Sequence, residues 1–207
     1  ADSITIHLRE DRRHIQDKDA IEIRECAKVL NFEMANTTEM IDFALKLKPD
    51  YCCIVPEKRD EKTTEGGLIL PSTNTLKFKN FSDNIKKLSN EGIKVSLFID
   101  PNIESVQVSK DLGADIVELH TGHYANEFNT INEFEMIDNI TSSAEFADKL
   151  GLLVNAGHGL NYENLNQLCK IQSLNELNIG HSIISQAVFT GLKDAIKKII
   201  SIINNCD

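Results

Sequence analysis

Apolar positions in this chain fall into short, nearly continuous runs separated by stretches with helical spacing. The runs Ser3–Leu8, Asn31–Met34, Tyr51–Val55, Ile93–Ile99, Asp115–His120, Leu152–Asn155 and Glu176–Ile179 read as strands. The intervening pattern predicts helices over Lys18–Leu30, Thr38–Leu47, Phe81–Asn90, Ile103–Leu112, Glu133–Leu150, Tyr162–Ile171 and Ile183–Asn204. Gly92, Gly113 and Gly151 follow three of these helices, where the chain wants a residue tolerant of positive φ. Strict alternation of strand and helix predicts an α/β fold with a parallel sheet and right-handed crossovers.

A closed TIM-type (β/α)8 barrel takes eight such units and about 250 residues. Here the pattern yields seven in 207 residues, read as a single barrel domain over 1–207. Ala1-Asp2-Ser3-Ile4 resembles Ala114-Asp115-Ile116-Val117, which opens a strand after a helix end. The chain is therefore expected to begin just past a first helix. The first strand and helix are missing from these residues and expected in the natural protein, whose intact mass would exceed 23.2 kDa.

Composition narrows the possibilities. With 41% hydrophobic residues there is enough material for one sizeable core. No apolar run reaches membrane-spanning length, and the first residues lack a signal-peptide layout. Twenty-two basic against 32 acidic residues leave a net charge of −10, with no basic stripe for nucleic acid. Three arginines, Arg9, Arg12 and Arg13, nevertheless crowd together, which suits a small anionic ligand or a solvated basic turn. Five cysteines without CxxC spacing point to a reducing compartment, not a disulfide framework or zinc site.

Candidate chemistry gathers at one rim. His7, His14, His120, His123, His158 and His181 all end strands or follow them, on the face where barrel active sites are built. Glu33, between Phe32 and Met34, and Glu118, in DIVELH, place carboxyls among apolar neighbours, where a raised pKa suits proton transfer. The alternative for these acids is a layer-filling salt bridge to arginine. Gly157, Gly159 and Gly180 flank His158 and His181 in NAGHG and NIGHS, turns fit to bring backbone N–H groups to a phosphate. With no HxH and the histidines spread singly, a metal site is not expected, although a metal-dependent hydrolase or lyase and a non-catalytic phosphate-ligand binder remain competing readings. The long connection from Pro56 to Asn80 is a candidate lid or a surface excursion.

The stretches ITIHLREDRRHIQDKD, NFEMA, CCIVPEKR with TTEGGL, KVSLFID, VELHTGHYAN, LVNAGHGLNYEN and ELNIGHSIISQAVFTGLKDAI resemble the pyridoxine 5′-phosphate synthase family, in order along the whole chain. The resemblance implies a transferase, cytoplasmic and commonly homo-octameric, working on two small phosphorylated substrates without metal or organic cofactor. It implies that His7 and Glu33 accept protons, His158 donates one and Glu118 stabilises a transition state. Arg9, His14 and Thr63 would hold 1-deoxy-D-xylulose 5-phosphate, and Gly159, Gly180 and His181 the phosphate of 3-amino-2-oxopropyl phosphate. The family's first strand normally carries an Asn and an Asp-His pair, with an Arg in the next loop. These have no counterpart here.

Overall fold

The computed structural model describes residues 1–57 and 66–206. Its elements are β1 (Ile4–His7), α1 (Asp17–Cys26), β2 (Leu30–Met34), α2 (Thr38–Leu47), β3 (Tyr51–Ile54), α3 (Leu76–Asn90), β4 (Lys94–Ile99), α4 (Ile103–Leu112), β5 (Ile116–His120), α5 (Gly122–Glu127), α6 (Glu133–Lys149), β6 (Leu153–Gly157), α7 (Leu165–Leu168), β7 (Glu176–Asn178), α8 (His181–Thr190) and α9 (Leu192–Asn204). The seven strands pair in chain order, each parallel to the next. At the two outer strands Ser3 Oγ donates to Glu176 Oε1 at 2.7 Å and Thr5 Oγ1 to Asn178 Oδ1 at 3.0 Å. The sheet thus curls into a nearly closed barrel.

Parallel register puts side chains of one row on one side of the sheet. Leu97, Val117, Leu119, Val154 and Ala156 join Met40, Ile85, Val106 and Ile140 in the main buried core, between sheet and helices. The apolar cluster of the opposite face is small: Cys53, Val55 and Phe98. Around it those rows carry polar side chains, with His7 beside Glu33, Glu33 beside Cys53, Cys53 beside Ser96, and Glu118 beside Asn155. Stability therefore rests on the outer layer, and the barrel interior is left for chemistry.

Most predicted elements are present, and the departures have local causes. Thr75 accepts the Phe78 N–H as N-cap, so α3 starts at Leu76 and not at Phe81. The helix expected over Tyr162–Ile171 contracts to α7, because Asn161 Oδ1 accepts the Glu163 and Asn164 N–H groups and holds a turn there. The single helix expected over Ile183–Asn204 is two, broken where Gly191 takes φ 81°. Helix α1 stops at Cys26, and Leu30 opens β2. Helix α5 is an addition, too short for a periodic signal.

Candidate active site

The row built by β1, β2 and β3 sets the acid–base groups side by side. His7 Nδ1 lies 3.8 Å from Glu33 Oε2, and its Nε2 donates to Glu57 Oε1 at 2.9 Å. Burial pushes the Glu33 carboxyl up to about 7, the charge of Glu118 pushes the same way, and His7 opposes both. Glu118 is only 2% exposed. Burial likewise raises it to about 7, against hydrogen bonds from Asn178 Nδ2 at 2.7 Å and Cys53 Sγ at 3.6 Å. Both of these donors meet Oε2, so neutral groups hold that oxygen of Glu118. At neutral pH this pair holds a proton that ordinary surface carboxyls would have lost.

His158 stands one residue beyond β6 with φ 84°, a left-handed conformation uncommon for a residue with a side chain. Gly159 follows at φ 77°, and a Cβ there would come 2.6 Å from Ala125 Cβ on α5. Thr121 Oγ1 ties the turn down by donating to the carbonyls of Gly157 and His158, at 2.7 and 2.6 Å. Burial lowers the His158 pKa, and nearby His120, its ring 5.1 Å away, adds to this. His158 is therefore a neutral imidazole at rest, able to take a proton and then return it. The N-terminus of α8, with Gly180 as N-cap and His181 as first residue, borders the same space as His158 and Gly159.

A cavity of about 1510 Å³ joins these groups. His7, Glu33, Glu118, His158, Arg9, His14, Gly159, Gly180 and His181 all line it. Thr63 lies outside the described residues. The arginine cluster does not act as a unit. Arg12 is spent on Asp17 at 2.8 Å and Glu39 at 2.6 Å, which lock the β1–α1 loop onto α1 and α2. Arg9 is 5% exposed, lines the cavity and pairs with Asp11, as does Arg13. One guanidinium of the three, not the cluster, faces the site.

Residues not picked out from the sequence complete the arrangement. Asp100 Oδ1 accepts from His120 Nδ1 at 3.1 Å and from the Gly67 N–H at 2.9 Å, and these bonds hold its carboxyl below the usual range. Gly67 is required there, because a Cβ would sit 2.1 Å from the Asp100 nitrogen. The far end of the long β3–α3 connection is thus anchored on β4 and β5. Asp100, His120 and His123 also bring ligand-type atoms within 4.8 Å of one another, the grouping best suited to a metal among the described residues. A metal there would have to replace the His120–Asp100 hydrogen bond.

The family model described as "Pyridoxal phosphate biosynthesis protein PdxJ" matches residues 1–205. A pyridoxine 5′-phosphate synthase of Prochlorococcus marinus (strain MIT 9312) is 50% identical over 206 residues, 99% of this chain and 84% of that protein. A pyridoxine 5′-phosphate synthase of Akkermansia muciniphila is 50% identical over 200 residues, 96% of this chain and 79% of that protein. Among solved structures, 3-keto-L-gulonate-6-phosphate decarboxylase from Vibrio cholerae aligns at a TM-score of 0.65 with 12% identity, covering 98% of this chain and 86% of its own. Identity that low speaks to the barrel fold alone. Matched along nearly its whole length, and with half its residues shared with two such enzymes, the chain belongs to the pyridoxal phosphate biosynthesis protein PdxJ family.

Proposed function

We propose that this protein is a pyridoxine 5′-phosphate synthase. It condenses 3-amino-2-oxopropyl phosphate with 1-deoxy-D-xylulose 5-phosphate to pyridoxine 5′-phosphate, inorganic phosphate and water. One observation carries the reading: His7, Glu33, Glu118 and His158 converge on one cavity, in a chain half identical to enzymes so named.

The reaction is a series of proton transfers, as an amine adds to a ketone, water and phosphate depart and the ring closes. Glu33 and His7 take protons. A carboxyl near pH 7 is half ionised there and so exchanges protons with little driving force either way. His158, neutral at rest, accepts a proton in one step and supplies it to a leaving oxygen in another. Glu118, anchored by Asn178, stays in place and balances positive charge as it develops. Arg9 and His14, with Thr63, hold one phosphate. The other sits on the Gly159 turn and the α8 N-terminus beside Gly180 and His181.

Purified enzyme is expected to release phosphate only when both substrates are present, and equally well with a chelator. Release from one substrate alone, or loss of turnover with chelator, would favour a metal-dependent hydrolase or lyase. Tight ligand binding with no turnover would favour a phosphate-ligand binder.

The same reading makes the enzyme cytoplasmic and homo-octameric. Five free thiols fit a reducing compartment, and no helix among the described residues is long and apolar enough to cross a membrane. Light scattering is expected to give about eight times the protomer mass, and a monomer would overturn this part.

A further inference from the structure

We propose that Glu57 is a positioning residue that fixes the tautomer and ring orientation of His7, through a carboxylate locked between the His7 ring and the Glu10 backbone. The inference rests on the synthase reading for its catalytic consequence, but not for its geometry.

Glu57 stands three residues beyond β3, at the start of the long connection, and its side chain is 5% exposed. Both oxygens are committed. Oε1 accepts from His7 Nε2 at 2.9 Å, and Oε2 accepts the Glu10 N–H at 2.9 Å. Burial alone would raise this carboxyl. The His7 and Glu10 bonds outweigh it and hold Glu57 below the ordinary glutamate range, as an ionised acceptor.

An ionised carboxylate only accepts hydrogen bonds, so His7 must carry its hydrogen on Nε2. Its lone pair then sits on Nδ1, on the side of Glu33, whose Oε2 is 3.8 Å away and too far for a hydrogen bond. Nδ1 is the free basic atom. When it takes a proton from substrate, both ring nitrogens carry hydrogen and the cation is paired with Glu57. That proton leaves by the same atom, and Glu57 is never itself protonated. The arrangement parallels the buried aspartate that orients the histidine of serine proteases.

The Glu10 N–H makes the substitution Glu57→Gln informative. That amide needs an oxygen, so the glutamine carbonyl turns to Glu10 and the glutamine NH₂ faces His7. Nε2 must then accept, and the hydrogen moves to Nδ1, the atom that should be basic.

The test uses full-length protein labelled with ¹⁵N in the histidine ring, with His7→Asn to assign its signals. Wild-type His7 is expected in the Nε2–H form and E57Q in the Nδ1–H form. Turnover in E57Q should fall at least about 10²-fold with KM changed less than about threefold, the pattern of a wrong tautomer with binding intact. Glu57→Asp, which keeps the acceptor charge, should recover part of kcat. An Nδ1–H wild type, an unchanged tautomer in E57Q, unaltered kcat, or an effect confined to KM would each overturn the proposal. A wild type without synthase turnover would sink the functional reading instead. The ring signals would then still decide whether Glu57 sets His7.

Discussion

Glu33→Gln is expected to lower kcat by about 10²- to 10⁴-fold, the range typical of losing a positioned proton acceptor. Phosphate-ligand binding should hold to within a few fold, because Arg9, His14 and the Gly159 turn are untouched. The effect is large because Glu33 is not an ordinary carboxylate. Burial and the neighbouring charge of Glu118 bring it to about 7, so its basicity is matched to neutral pH. Glutamine has the same shape and no basicity. The pH profile separates this role from a structural one. An acceptor must be ionised, so wild-type kcat/KM should rise with pH through about 7, and E33Q should lose that limb. Steady-state rates between about pH 5.5 and 8.5 check both points. Wild-type turnover in E33Q would remove Glu33 from the proposed mechanism.

Glu118→Gln should do two opposite things: cost activity and make the protein more stable above pH 7. In the folded state burial raises Glu118 from 4.5 to about 7. Between those values the folded chain keeps a proton that the unfolded chain releases. The stabilisation from Glu118 is therefore full below about 4.5 and lost as pH climbs through about 7. A displacement of that size corresponds to an upper bound of about 3 kcal/mol. The glutamine carbonyl can still accept from Asn178 Nδ2, now 2.7 Å from Oε2, with no charge to bury. Urea unfolding at about pH 5 and pH 8 should show wild type losing stability with rising pH and E118Q losing less. If E118Q unfolds more easily than wild type at pH 8, the carboxylate is better satisfied than its surroundings suggest. Gain of stability with loss of turnover is the expected signature of an acid held for function.

The strands were legible because each is a short run with turn signals on both sides. KVSLFI and IVELH gave β4 and β5 almost to the residue. The fold class followed from alternation alone. Helix α5 was illegible because GHYANE is too short to show a period. The break at Gly191 was hidden inside one long apolar-periodic stretch, where a single glycine is weak evidence. The histidines could be placed on one rim because they end strands or follow them. The two acids stood out because each is a carboxyl among apolar neighbours inside a strand. Glu57 and Asp100 could not be read, although each lies just past a strand, because their meaning depends on His7 and His120 arriving from other strands. The arginine cluster misled for the converse reason. Closeness along the chain said nothing about Asp17 and Glu39, which claim Arg12 from two different helices.

The left-handed backbone at His158 makes the best inert version of this protein a counter-intuitive one. Alanine in that place would delete the imidazole and keep an L-residue in a conformation that disfavours a Cβ by roughly 1 kcal/mol. Glycine deletes the same ring and relaxes the loop, at some cost in unfolded-chain entropy. A decoy with both substrates docked and no way forward is therefore better made by His158→Gly, since the turn around the phosphate would persist without the group that drives the chemistry.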